Sequence, residues 1–242
     1  MNVLLIGDSC EDRYFYGDVK RLNPEAPVPI LEYKRGVTSE GMVKNVYNNL
    51  KAFGVSINMI TNEEKIIKTR FIDEKSNQQI LRSDEEPEIK PFPYKMPENK
   101  YDVLVISDYN KGFLTTEKIS EIVDSFDGPV FIDTKKNYLP KLDAYVKINE
   151  HEYNNFKSSI EKLLITRGGK GCEYKGKLYP AEKVNVFDVV GAGDTFLSAL
   201  VYFYLKCGRI EEAIPYANKA AAIAVSNFGT YALTKEDVDT IL

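Results

Sequence analysis

Six short apolar runs, at residues 3–6, 57–60, 103–107, 130–132, 145–148 and 163–166, constrain the fold of this chain most strongly. Each is short, bounded by turn residues and predominantly apolar. That pattern describes strands buried on both faces, as in a largely parallel sheet. Helical patterns lie between them. Val43, Val46, Tyr47, Leu50 and Phe53 recur at helical spacing, and Gly54 supplies a C-terminal stop. Ile119, Ile122 and Val123 predict a second helix. A third opens near Gly193 and runs through Phe196, Leu200 and Phe203 to Gly208. A fourth runs from about Ile210 through Ala213, Ala217, Ala220, Ala221 and Ala224 towards Phe228. Alternating strands and helices imply a layered α/β fold with a mostly parallel sheet. The chain's 242 residues, 43 % of them hydrophobic, suffice for one such domain over 1–242.

Two stretches break the rhythm. Residues 13–36 combine aromatics with the rigid segment Asn23-Pro24-Glu25-Ala26-Pro27-Val28-Pro29. Residues 66–83 alternate in polarity around the polar turn 74–77, as a hairpin does. Both read as half-exposed strands outside the main sheet, forming a small β lid in which Tyr14, Phe15 and Tyr16 stack. Residues 84–100, rich in Pro and Glu, are expected to form an exposed connection.

Bulk properties remove alternatives. A net charge of −4 without a basic block gives no electrostatic reason for nucleic-acid or membrane binding. Cys10, Cys172 and Cys207 have neither disulfide-framework nor metal-ligand spacing, and the latter two are expected to be packing residues. The single histidine, His151, rules out a multi-histidine metal site or a Ser-His-Asp triad, and is expected to orient a neighbour or face solvent. The apolar start Val3-Leu4-Leu5-Ile6 is too short for a signal peptide, and no run approaches the ~20 residues of a membrane span. A cytoplasmic, soluble protein is the expectation.

The strongest chemical signal is Asp188-Val189-Val190-Gly191-Ala192-Gly193-Asp194. Two glycines around a small residue open a strongly apolar helix. Backbone N–H groups there can approach an anion, and the helix N-terminus favours one. Asp194 stands in the first turn, where a carboxylate can take a proton from an attacking hydroxyl. A base beside an anion site is what phosphoryl transfer requires. A plain glycine turn with Asp194 as a helix cap is the alternative. A Walker loop is absent, and Gly7-Asp8-Ser9-Cys10 after the first strand is not a dinucleotide fingerprint.

The heptapeptide resembles the D-T-x-G-A-G-D signature of the ribokinase (PfkB-type) carbohydrate kinases, departing at its second position. The resemblance continues along the chain. Asn149 and Glu152 match the family's N-x-x-E, which implies roles in placing phosphate and Mg²⁺. Thr166, Gly168 and Gly171 match its T-x-G-x-x-G turn, and Asn218, Ala221 and Gly229 lie where it builds an adenine pocket. Asp12 and Asn45 match the residues that hold sugar hydroxyls. Within the family, Asp12-Arg13-Tyr14-Phe15-Tyr16-Gly17 and the 23–29 segment look like motifs of heptose 7-phosphate kinases. So do Lys68-Thr69-Arg70 with Gln78-Gln79 and Arg82, and the run Ser107-Asp108-Tyr109-Asn110-Lys111-Gly112.

This resemblance implies a ribokinase-like α/β/α sandwich and an ATP- and Mg²⁺-dependent sugar kinase. Asp194 would be the base and Gly191, Ala192 and Gly193 the anion hole. Asp12, Asn45 and Asp108 would contact the acceptor, while Arg70, Arg82 and Lys111 would hold its phosphate. The acceptor would be the anomeric hydroxyl of a heptose 7-phosphate, and a homodimer would form through the lid. A kinase for another sugar or nucleoside is the second reading, and a catalytically silent binding relative the third. Three departures bear on the choice. The family's paired glycines read Glu40-Gly41, with Lys44 beside Asn45. The stretch 62–68 is too short for a helix and strand found in the family. No cytidylyltransferase segment follows Leu242, so a single activity is expected.

Overall fold

A computed structural model describes residues 1–93, 96, 97, 100–227 and 229–242. They divide into two compact units. The first comprises Met1–Asp8, Met42–Asn62 and Ile89–Leu242, the second Ser9–Gly41 and Glu63–Glu88.

The first unit is built on an eight-stranded sheet. In spatial order it runs β12 (Lys177–Tyr179), β11 (Cys172–Tyr174), β10 (Leu163–Thr166), β9 (Tyr145–Asn149), β8 (Val130–Thr134), β7 (Val103–Asp108), β1 (Asn2–Gly7) and β4 (Ser56–Thr61). From β10 to β4 every pairing is parallel; only β11 and β12 attach antiparallel. The six apolar runs are the six parallel strands. Val3, Leu4, Leu5 and Ile6 are all fully buried, so both faces of β1 are covered, as an unalternating pattern requires.

Six helices accompany this sheet among the described residues: α1 (Val43–Ala52), α2 (Thr116–Ser125), α3 (Glu150–Tyr153), α4 (Ala192–Cys207), α5 (Ile210–Val225) and α6 (Lys235–Ile241). One continuous core joins Val3, Leu5, Val103 and Val105 of the sheet to Val46 of α1, Leu200 of α4 and Ala217 of α5. α4 starts and stops where its glycines say. Gly191 and Gly208 flank it in left-handed conformation, with φ 81° and 73°. α5 ends at Val225, and Phe228, towards which the periodicity pointed, lies outside the described residues. No helix among the described residues is long and apolar enough to cross a membrane.

The second unit is a four-stranded sheet in the order β3 (Pro29–Met42), β2 (Ser9–Leu22), β5 (Ile66–Asp73), β6 (Gln78–Glu85). β5 and β6 form the expected hairpin, with Asn77 left-handed in its turn (φ 54°). β2 and β5 run parallel, with Cys10 opposite Ile66 and Tyr14 opposite Arg70. Phe15 meets Tyr33 edge-on and Phe71 at a tilt within this sheet, with ring centroids 5.8 and 5.6 Å apart, rather than stacking face to face.

Two expectations need correction. The stretch 84–100 is not simply exposed: Glu85 still belongs to β6, and Ile89 and Phe92 are buried. Phe92 meets Phe113 edge-on, and its N–H donates to the Phe113 carbonyl at 2.7 Å. Apolar anchors inside a Pro/Glu-rich segment outweigh its average composition; residues 94, 95, 98 and 99 lie outside the described set. Cys172 is buried as expected, but Cys207 is exposed at the last turn of α4. There the thiol reaches the Phe203 and Arg209 carbonyls instead of the core.

Candidate active site

Parallel strands deliver their C-terminal ends to one edge of the sheet, the usual place for a ligand in open α/β folds. Here β8, β9 and β10 bring Asp133, Lys135, Lys147, Asn149 and Thr166 to a cavity of about 620 Å³. The start of α4 supplies Gly191, Ala192, Gly193 and Asp194 to the same cavity. Asp194, predicted as the base, is 3 % exposed, and both its oxygens are held. Asn45 Nδ2 donates to Oδ2 at 2.9 Å and the Tyr109 hydroxyl to Oδ1 at 2.8 Å. Burial, and then the charge of Asp133, push the Asp194 carboxyl up to about 6 against the pull of those two donors and Lys147. A carboxyl poised there is ionised near neutrality yet basic enough to accept a proton.

The supports of the base are fixed in turn. The Tyr109 N–H donates to Asp8 Oδ2 at 2.7 Å. Asp8 is fully buried, and burial with the nearby Asp108 charge raises its pKa. Asn45 is braced by Asn49, whose amide donates to the Asn45 side-chain oxygen at 3.2 Å. Beside Asp194, the start of α4 leaves the N–H groups of Gly193 and Asp194 without an acceptor among the described residues. Such groups form a ready anion site.

Two lysines that sequence reasoning missed stand opposite. Lys147 Nζ lies 2.7 Å from Asp133 Oδ2, and Lys135 is bonded to Glu152. Burial opposes ionisation of Asp133, but Lys147 and Lys135 outweigh it and hold the carboxyl below its ordinary value. Burial likewise opposes the charge of Lys135, and Asp133 with Glu152 reverse the balance, raising its pKa. A lysine at the centre of the otherwise buried run Tyr145-Val-Lys-Ile-Asn was the available signal, since an ammonium is rarely buried unpaired.

Of the residues expected on the nucleotide side, Asn149, Thr166, Gly168, Gly171, Asn218 and Ala221 line the cavity. Asn218 also pins its wall, donating to the Tyr179 and Pro180 carbonyls at 2.9 and 3.1 Å. Gly229 does not line it. Its N–H binds Asp188 Oδ2 at 3.1 Å, while Asp188 Oδ1 accepts from the Val190 N–H, so Asp188 ties two loops together. Asn149 and Glu152 cap α3 reciprocally: the Glu152 N–H meets Asn149 Oδ1, and the Asn149 N–H meets Glu152 Oε2. His151, between them, is exposed to solvent.

The residues expected around the acceptor have other partners. Asp108 is 1 % exposed and accepts from the Thr134 hydroxyl at 2.6 Å and the Asn110 N–H at 3.0 Å. The Lys111 N–H lies 3.5 Å from Asp8 Oδ2. In the second unit, Arg70 and Asp12 bind each other at 2.5 Å, and the Cys10 thiol lies 3.7 Å from the other Asp12 oxygen. A Cβ on Gly41 would stand 2.2 Å from Asp12 Oδ2, so this half of the expected glycine pair is required by the carboxylate beside it. Arg82 pairs with Asp84 on the exposed strand β6.

Among the described residues no cluster of three or more His, Cys, Asp or Glu could hold a metal ion. Mg²⁺ bound to a nucleotide keeps several waters and takes one or two carboxylates, so such a cluster is not required. Asp133 Oδ1 fits that demand, being buried, without a hydrogen bond and 3.9 Å from Lys135, while the Glu152 carboxylate beside it would share an oxygen with Lys135 or the Asn149 N–H.

Comparison with known proteins agrees with this geometry. The model of the pfkB family carbohydrate kinases matches residues 122–237, which include α4 and the cavity's lysines. The fold is that of solved ribokinase-type structures. A Methanocaldococcus jannaschii nucleoside kinase superposes with TM-score 0.71 at 16 % identity, covering 99 % of this chain and 97 % of that one. Arabidopsis thaliana ribokinase, complexed with ribose and ATP, gives 0.68 at 14 % identity over 99 % and 98 %. Residues 122–237 of the chain are thus similar to the pfkB family of carbohydrate kinases.

Over nearly its whole length the chain is similar to proteins called bifunctional protein HldE. The protein of that name from a Nitratiruptor species is 28 % identical over 98 % of this chain, and the Sulfurimonas denitrificans protein 29 % over 98 %. The chain spans 64 % and 63 % of their lengths. The first alignment extends over 295 positions against a chain of 242 residues, so more than fifty positions of that relative have no counterpart here. Only four residues, 62–65, separate β4 from β5, and α3 is a single four-residue helix.

Proposed function

We propose that this chain is an ATP-dependent kinase that transfers the γ-phosphoryl group to a sugar hydroxyl, with the anomeric hydroxyl of a heptose 7-phosphate as the acceptor. The observation that carries the reading is Asp194, held at both oxygens, raised to about 6 and adjacent to unpaired helix N–H groups. Asp194 takes the acceptor's proton as its oxygen attacks phosphorus, and the N–H groups of Gly193 and Asp194 receive the phosphoryl oxygens. Val184, Val186, Ala221 and Val225 give the cavity an apolar flank suited to a flat base. Mg²⁺, arriving on the nucleotide's phosphates, supplies charge neutralisation and would be held by Glu152 and Asp133. The heptose part rests on the motif order 12–17, 23–29 and 107–112 together with the likeness to HldE proteins.

One observation favours a second reading, the same transfer to a different sugar. More than fifty positions of the relative are missing here, and Arg70, expected at the substrate phosphate, is already bonded to Asp12. A coupled ADP-release assay over phosphorylated heptoses, hexoses and pentoses decides between them. Turnover confined to heptose 7-phosphate supports the first, and turnover with another acceptor alone the second. Tight nucleotide binding without turnover on any acceptor overturns both.

A further inference from the structure

An asparagine can face a carboxylate with either end of its amide, and only the N–H end helps the carboxylate ionise. Asn45 presents that end: its Nδ2 donates to Asp194 Oδ2 at 2.9 Å. Nothing in Asn45 itself decides the choice. Asn49 does, one turn further along α1 and fully buried. Its Nδ2 donates to the Asn45 backbone carbonyl at 2.9 Å and to Asn45 Oδ1 at 3.2 Å. Its Oδ1 accepts from the Leu233 N–H at 3.0 Å and lies 3.4 Å from the Thr195 hydroxyl.

Two of these partners are main-chain groups of fixed polarity. The Leu233 N–H can only donate and the Asn45 carbonyl can only accept. Turning the Asn49 amide over would set donor against donor at Leu233 and acceptor against acceptor at Asn45, and no solvent reaches a fully buried side chain to compensate. Asn49 therefore has one orientation, and its Nδ2 holds Asn45 Oδ1 away from the base. Leu233 lies 184 residues further along the chain, just before α6, and its burial in the core fixes the donor in place. An asparagine beside Val46 and Leu50 on the buried face of α1 serves packing poorly, so its use lies in those hydrogen bonds.

We propose that Asn49 is a positioning residue for the transfer: it takes its orientation from the Leu233 N–H and passes it through Asn45, so that Asp194 meets an amide N–H there and never an amide oxygen. The proposal rests on the kinase reading above. Without this constraint the Asn45 amide can turn its oxygen to Asp194, an arrangement that suits only the protonated carboxyl. The other groups that act on Asp194 keep their places: Asp133 from β8, Lys147 from β9, the Tyr109 hydroxyl after β7, and Lys135.

The ionisation of Asp194 is measured in two ways. One is NMR titration of isotopically labelled aspartate carboxyls, with Asp194→Asn identifying the signal; the other is the pH profile of kcat/KM. Asn49→Leu keeps the side chain's volume and removes its polarity. Asn49→Ala, which leaves room for water at Leu233, carries the same expectation should the first variant fold poorly. In either, Asp194 is expected to titrate about one pH unit higher, the scale of one weakened hydrogen bond to a charged group. The ratio of kcat/KM at pH 8 to that at pH 5 then rises about eightfold, whereas a loss of active protein scales both values and leaves the ratio alone. In an Asn45→Ala background, where the relay is already cut, the same change at Asn49 should move neither measurement. An unmoved Asp194 signal in the Asn49 variants overturns the assignment of Asn49 and leaves the kinase reading intact. A shift that persists in full without the Asn45 amide does the same. A wild type that turns over no acceptor at any pH overturns the kinase reading, and the role of Asn49 in the transfer with it.

Discussion

The cavity of the first unit and the four-stranded sheet of the second use buried charge in opposite ways. In the sheet, both oxygens of Asp12 are taken, Oδ1 by Arg70 at 2.5 Å and Oδ2 by the Cys10 thiol at 3.7 Å. In the cavity, Asp133 Oδ1 has no hydrogen bond and only the Lys135 ammonium 3.9 Å away, the Lys147 ammonium makes a single bond, and burial pushes Asp194 up to about 6. Closed pairs hold a structure together. Open ones, kept charged by their surroundings and facing a cavity, are prepared for a ligand. The contrast marks the cavity's charged groups as open to a ligand and the Asp12–Arg70 pair as engaged within its own sheet.

The sharpest way to break the comparison is Asp194→Asn. Turnover is expected to fall about 10³–10⁴-fold, with ADP affinity unchanged by calorimetry. Near-normal ADP release in that variant removes Asp194 from the base role. Next comes Arg70→Ala, which strands the buried Asp12 carboxylate. Stability should drop by about 3 kcal/mol in urea unfolding while ADP affinity stays within about twofold. Loss of ADP binding without loss of stability would reverse the assignment of open and closed pairs.

Acidity offers a finer test. A base must be ionised, so kcat/KM should fall about tenfold per pH unit as the medium drops below about 6, and flatten above it. Tyr109→Phe removes a donor that favours the ionised form. The acid limb should therefore move to higher pH by about one unit, with kcat/KM near pH 7 down about twofold and near pH 5 down about tenfold. An unmoved limb would show that Tyr109 does not act through Asp194. The smallest effect is expected from Arg82→Ala, whose pair with Asp84 is exposed: stability should change by less than about 0.5 kcal/mol in thermal unfolding. If Arg82 also meets the acceptor's phosphate, KM for a phosphorylated sugar rises in that variant and kcat does not.

Much of the scaffold was legible because it obeys local rules. Parallel strands read as short, predominantly apolar runs, and α4 is bounded by Gly191 and Gly208, whose φ angles suit glycine. The glycine turn and Asp194 were legible because the anion site and the base lie within one short stretch of chain. What escaped depends on contacts between distant positions. Tyr109 reaches Asp194 across 85 residues, and Arg70 reaches Asp12 across 58. Lys147 was hidden by its setting, since one lysine in a short strand is easily taken for an outward-facing position. Ile89 and Phe92 were obscured by the prolines and glutamates around them. Asp108 matched a motif, but its burial under Thr134 depends on the pairing of β7 with β8.

The parallel pairing of β2 with β5 bears on how the chain assembles. Cys10 lies opposite Ile66, and β3 with all of α1 and β4 must be synthesised between them. While the chain emerges, β2 can pair with β3, but its other edge has no partner until β5 appears. An open edge is where strands of separate chains join wrongly. The β5–β6 hairpin forms locally and can close that edge as a preformed piece, which makes its arrival the natural timing step in maturation of the second unit.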